Sequence, residues 1–187
     1  MYDDDRTTLD LIETLGNDYN RIHLDILDLL ENAERDSPGC SIEVDVSFES
    51  RILVRALFAY IEAVAFSMKL KAVKICHEEG IKLTDAEYFF AVEKKHEIKE
   101  NGETFIRPAQ IRFLPNLRFA FNITAKSFGK TATFDPNTEW WVCLKQAVKI
   151  RDRLTHPKLP TDLDIYPDEL INVMKARAGF DKYIMDL

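Results

Sequence analysis

The run Arg151-Asp152-Arg153-Leu154-Thr155-His156-Pro157-Lys158 is the one short stretch of this chain whose residue types and spacing suggest chemistry. An arginine carries a planar guanidinium that matches a phosphate or carboxylate. A histidine exchanges a proton near neutral pH. Arg151, Arg153, His156 and Lys158 together make a local positive site. A helix is expected to end here, because Pro157 disfavours helical geometry in the residue before it. Cations are favoured at such an end by the unpaired backbone carbonyls, so helix capping alone accounts for part of the charge. Five residues along a helix turn through about 500°, which leaves Arg151 and His156 about 140° apart. On an ideal helix they would not face one target. Either His156 leaves the helix at Pro157, or the two side chains serve one pocket from two subunits.

Other candidates are weaker. Glu62 lies inside the apolar run LVRALFAYIEAVAFSM. A carboxylate buried there needs a partner, and could orient an arginine or histidine, but a structural ion pair or a half-exposed position is the favoured explanation. Trp140 and Trp141 could stack on bases, but adjacent helical residues diverge by about 100°, so at least one belongs to a core or an interface. Cys40, Cys76 and Cys143 are odd in number, widely spaced and without a CxxC pair, which argues against a disulfide framework or a zinc knuckle and fits a reducing cytoplasm. Cys76-His77 lacks companions at ligand spacing, so no metal and no cofactor is expected.

The elements that must position these groups are mostly helices. Glycine (6) and proline (7) are scarce, which disfavours a turn-rich sandwich. Ile12, Leu15, Tyr19, Ile22, Ile26 and Leu29 step by three and four, which predicts a first helix over about 8–34 with one buried stripe. Ser37-Pro38-Gly39 ends it, and residues 40–46 read as an extended connector. A second, almost wholly apolar helix is expected from Ser47 to about Glu79, stopped by Gly80 and surrounded by protein. Thr84 and Glu87 fit a capping box that opens a third helix, expected to reach Lys99. Asn101-Gly102 is a turn. Residues 103–114 read as a short hairpin or an irregular loop, with Pro108 confining any strand to an edge. Pro115 opens a helix to about Ser127. Asp135-Pro136 is an N-cap and first-turn pair for the helix that ends near His156. A last helix runs over about 167–178, with Gly179 as its stop.

The expected fold is therefore all-α, an up-and-down helical bundle in a single domain over 1–187, with a core bundle at 47–178 and an acidic first helix, 1–36, as an elaboration. Residues 1–50 hold 14 acidic and 3 basic residues, whereas 105–158 hold 10 basic and 3 acidic. A basic segment inside a chain of net charge −7 could hold one phosphate-rich ligand while the rest repels it, or both could be ordinary solvated faces. The acidic start has no basic region and no apolar run of signal-peptide type, and Ile52–Met68 is broken by Arg55 and Glu62, so neither export nor a membrane span is expected.

An arginine followed after four to six residues by a histidine, a polar residue directly after the arginine, a helix end, and a long apolar helix upstream together resemble the HEPN superfamily. Here the motif is Arg151 and His156 with Asp152 as the polar residue. The resemblance covers the bundle outline over about 47–175; the acidic first helix and segment 103–130 match no pattern of the family. It implies an all-α, cytoplasmic homodimer in which two motifs meet across the dimer axis. It also implies metal-independent cleavage of RNA by the substrate's own 2′-hydroxyl. His156 would be general acid or base, Arg151 would hold the scissile phosphate, and Asp152 would orient one of them. Thr155 would bond a phosphate or its own helix, and Glu62 would lie behind the reacting groups. Lys149, Arg153 and Lys158 would hold the RNA backbone without reading bases. The biological setting it implies is a toxin paired with an antitoxin protein, or a phage-defence system. The alternatives are a non-catalytic HEPN-like dimer that binds nucleotides, RNA or a partner, and an unrelated helical interaction protein.

Overall fold

The computed structural model describes residues 5–36 and 45–187. Among them are six α-helices, one 3₁₀ turn and one two-stranded antiparallel hairpin, in agreement with the all-α expectation. The helices are α1 (Asp5–Asp36), α2 (Ser47–Glu78), α3 (Asp85–Ala91), α4 (Phe113–Ser127), α5 (Glu139–Thr155) and α6 (Pro167–Asp186). The strands are β1 (Lys94–Ile98) and β2 (Thr104–Pro108), and the 3₁₀ turn is Pro160–Leu163. The connector expected over 40–46 falls mostly outside the described residues. The chain divides into two compact units, Met1–Ile61 with Asp135–Asp186, and Glu62–Phe134.

In the first unit, α5 and α6 pack as an antiparallel pair. Trp140, at the start of α5, meets Phe180 and Tyr183 late in α6. Arg153, at the end of α5, meets Glu169 early in α6. The buried face of α5 is Trp141, Cys143, Leu144, Ala147, Ile150 and Leu154, a helical period that leaves Lys145, Lys149 and Asp152 exposed. On α1, Tyr19 and Ile26 are buried as the stripe predicts. Leu29 is not: it is 40% exposed, as are Leu27 and Leu30 beside it at 38% and 41%. Tyr19 and Tyr60 flank the guanidinium of Arg177, which lies 3.6 Å from the Tyr60 ring centroid and pairs with Asp181. Burial pulls the Arg177 guanidinium below its ordinary range and pushes the Tyr19 phenol up to about 12.

Two boundaries in this unit differ from the sequence reading. Helix α5 starts at Glu139, not at Asp135-Pro136. The Asp135 carboxylate accepts the Asn137 N–H at 2.8 Å and so closes a local turn before the helix, leaving Thr138 at the cap position. Helix α6 runs through Gly179 to Asp186. This glycine is not a stop. A Cβ at this position would overlap Cβ of Trp140, so Gly179 is what lets α5 and α6 approach so closely.

In the second unit, the C-terminal half of α2 ends as the sequence predicts. Gly80 takes φ 69°, and Ile81 N–H donates to Cys76 O at 2.8 Å, a 6→1 closure of the helix end. Both halves of the Thr84–Glu87 capping box form at the start of α3. The third helix stops at Ala91, well short of Lys99, because Glu93 adopts φ 51° and Lys94–Ile98 pairs with Thr104–Pro108. Pairing partners outweigh the helix propensity of lysine and glutamate here. The turn at Asn101-Gly102 is present, with Gly102 at φ 83°, and Pro108 lies at the end of its strand. Helix α4 opens two residues before Pro115, which sits in the first turn where its missing N–H has no intrahelical role. Ala72, Ala91 and Ile123 form a small core, with Val73, Leu83 and Phe119 packed on it.

Candidate nucleic-acid site at the end of α5

The register of α5 decides the position of Arg151. It follows the buried Ile150 by one residue and so sits at the edge of the packed face, with a side chain 26% exposed. Its guanidinium lies 4.6 Å from the Phe58 ring centroid, a stacking that suits a planar cation. Nε and Nη2 also donate to Asp152 Oδ1 at 3.3 and 3.1 Å. Asp152 therefore orients Arg151 from the next position along the chain. Its own side chain is 62% exposed.

His156 caps α5 with φ −128° and ψ 57°, so it has left helical geometry just before Pro157. Its N–H still donates to Asp152 O at 3.1 Å, which ties the residue to the helix end. The imidazole is exposed and forms no hydrogen bond or ion pair among the described residues. Thr155 donates its hydroxyl to Arg151 O at 2.7 Å, the intrahelical role rather than a ligand-facing one.

Arg153 is committed elsewhere. Its guanidinium makes a two-pronged pair with Glu169, 2.9 Å on each arm. It also donates to Asp162 O at 3.0 Å and Asp164 O at 2.5 Å. The Asp162 carboxylate accepts the amides of Lys158 and Leu159 at 2.7 and 2.8 Å. These bonds hold the loop between α5 and α6 against its own helices, and with it the exit direction of His156. Bonding to Glu169 raises Arg153 above its ordinary range. Burial pushes Glu169 up, but its bonds to Arg153 and to the Tyr166 amide more than offset that and hold it below the usual carboxylate range. Lys149 and Lys158 are exposed.

Among the tryptophans, Trp141 is buried, and Trp140 packs on Phe180 and Tyr183 of α6. Glu62, for which the sequence favoured a structural ion pair or a half-exposed position over a buried orienting role, is exposed and lines a pocket of the second unit. A helix bearing bulk on nearly every side still leaves one line of residues at its surface, and Glu62 is on it. Cys76 and Cys143 are buried. Among the described residues there is no group of three or more His, Cys, Asp or Glu side chains placed to hold a metal ion, and no helix is long and apolar enough to cross a membrane.

Sequence reasoning missed a polar network in the second unit. Lys69 is fully buried and donates to Glu93 Oε1 at 2.5 Å and Asn116 Oδ1 at 2.7 Å. Asn116 in turn donates to the same Glu93 oxygen at 2.9 Å. Burial lowers the Lys69 ammonium, opposed by Glu93. The signal available was Lys69 itself, a lone ammonium close after a long apolar run. Its partners come from 24 and 47 residues away, which no local pattern reveals. Comparison of the chain with protein-family models, with curated proteins and with solved structures gives no match.

Proposed function

We propose that this protein is a metal-independent endoribonuclease of the HEPN type, acting as a homodimer through Arg151 and His156. The observation that supports this reading is an exposed imidazole at the C-terminal cap of a helix, five residues after a guanidinium held in place by Phe58 and Asp152.

The chemistry follows from those groups. The ribose 2′-hydroxyl attacks the adjacent phosphorus, the bond to the 5′-oxygen breaks, and a 2′,3′-cyclic phosphate and a 5′-hydroxyl result. One proton must leave the nucleophile and one must reach the leaving oxygen. A single imidazole cannot do both in one concerted step, but His156 from each of two protomers supplies one base and one acid. Arg151 stabilises the extra negative charge on phosphorus oxygens. Lys149 and Lys158 contact backbone phosphates. Asp152 holds Arg151 until phosphate competes for it.

The test is degradation of single-stranded RNA by purified protein in EDTA. Activity that disappears in both Arg151→Ala and His156→Ala, with melting temperature nearly unchanged in the latter, is the expected result. RNA binding without cleavage selects the non-catalytic dimer instead. Cleavage that survives His156→Ala refutes the assignment. In the toxin setting that the resemblance implies, expression of the wild type slows growth and expression of His156→Ala does not; an antitoxin would be the protein that relieves the first.

A further inference from the structure

The C-terminal part of α1 carries apolar surface that its own unit leaves open. Ile26 is fully buried. From Leu27 to Arg35 the side chains are exposed, except for the half-buried Ala33. Leu24, one turn earlier, is 59% exposed, more than Leu27 or Leu30. Steps of three along a helix advance about 300°, so Leu24, Leu27 and Leu30 lie within an arc of about 120°. One exposed leucine needs no explanation, but an aligned row of three marks a surface for contact.

The same face is acidic. At about 100° per residue, Glu31 and Glu34 fall inside that arc and Asp28 lies about 40° beyond its edge. All three carboxylates are exposed, and none pairs with a cation among the described residues. Residues 24–35 hold four acidic residues and one basic residue, Arg35. The last carbonyls of the helix add partial negative charge at this end. A row of leucines on an exposed helix offers ridges and grooves to a second helix. Carboxylates within and beside the row select one whose apolar stripe is flanked by lysine or arginine. A second copy of this face would bring like charge to like.

We propose that α1 from Leu24 to Glu34 is a docking surface for a basic amphipathic helix of another protein. Leu24, Leu27 and Leu30 meet its apolar stripe, and Asp28, Glu31 and Glu34 meet its cations. The span is about 15 Å long, which nearly three turns of the partner helix cover.

The full-length protein is titrated into a fluorescein-labelled peptide of about 14 residues built only of Leu and Lys, with leucines three and four apart. Fluorescence anisotropy follows binding. Saturable binding is expected, and Leu27→Ala/Leu30→Ala weakens it at least about tenfold. Melting temperature stays unchanged, because both leucines are exposed. The distant pair Leu9→Ala/Leu11→Ala, also exposed, leaves the affinity unaltered. Asp28→Lys/Glu31→Lys weakens the Lys peptide and strengthens binding of its counterpart with Glu in place of every Lys. An affinity untouched by Leu27→Ala/Leu30→Ala, equal losses in the Leu9/Leu11 pair, or no exchange of preference in the charge-reversed variant overturns the proposal. Sedimentation of peptide-free wild type and of Leu27→Lys/Leu30→Lys is expected to agree. A smaller assembly in the variant overturns it too, and names a second copy as the occupant. None of these readouts depends on RNA cleavage.

Discussion

At the scale of single residues, two arginines two positions apart in one helix have different duties. Arg151 sits over an aromatic ring with an exposed carboxylate as its companion, an arrangement that fixes the direction of a planar guanidinium. Arg153 spends its donors on Glu169 and on the loop that follows. The two therefore part in mutagenesis. Arg153→Ala is expected to cost about 2 kcal/mol in urea unfolding, because Glu169 loses a two-pronged partner while only 21% exposed. Any effect of that variant on RNA affinity then comes through the loop. Arg151→Ala loses its stacking on Phe58 and its pair with the exposed Asp152, each worth about 0.5–1 kcal/mol, and under the proposed function its larger effect is expected on RNA cleavage. Equal stability losses in the two variants would remove this division of labour.

At the scale of elements, small sequence signals control how helices meet. Replacing a glycine by alanine inside a helix ordinarily stabilises it by about 0.5–1 kcal/mol. Gly179→Ala is expected to do the reverse, costing about 1–3 kcal/mol, since the new methyl overlaps Trp140 and must push α5 away from α6. Combining it with Trp140→Ala tests the cause: the penalty of the added methyl falls in the double variant, as chemical denaturation of the four proteins of the cycle will show. The capping box of α3 gives a second element-scale prediction. Glu87 bonds Lys126 of α4 at 2.7 and 2.9 Å as well as the Thr84 amide, and these bonds, Lys126 first, hold it below its ordinary 4.5. A carboxylate with a lowered folded value contributes stability that is fully present above pH 4.5 and is lost as the pH falls through the folded value. Glu87→Gln should therefore cost about 1 kcal/mol at pH 7 and flatten the loss of stability on acidification below pH 4.5. A wild-type and variant difference that stays constant from pH 7 to pH 3 would show that the ion pair contributes nothing.

At the scale of the molecule, charge is segregated along the chain. The first 50 residues are net −11 and the stretch 105–158 is net +7. If RNA is held by exposed lysines near α5, its affinity must fall steeply with salt. The log–log slope should drop by about 0.7 for each of Lys149→Ala and Lys158→Ala, since each removes one contact to single-stranded phosphate. Melting temperature should not change, because both side chains are exposed. Dimerisation gives the complementary test. Cleavage per chain should fall on dilution in step with dissociation measured by sedimentation, because one imidazole is then missing from each site. Activity that stays proportional to chain concentration down to a fully monomeric sample would place both proton transfers within one chain.

The all-α class was legible in the sequence because helical periodicity, capping and stops are local. Tyr19 and Ile26 on one stripe, the Thr84–Glu87 box, the Gly80 stop and the end of α5 before Pro157 each depend on residues within a turn or two of one another. So does the pairing of Arg151 with Asp152, its neighbour in sequence. Long-range partners decided the rest. Pairing with Thr104–Pro108 turned Lys94–Ile98 from helix into strand, Trp140 made Gly179 a contact rather than a stop, and Glu169 drew Arg153 into the loop. Glu93 and Asn116 closed around an ammonium that no neighbouring residue could satisfy. Local backbone preferences differ by a few tenths of a kcal/mol per residue. Burying a charge or closing a packed contact is worth several times that, so wherever the two compete the tertiary contact prevails.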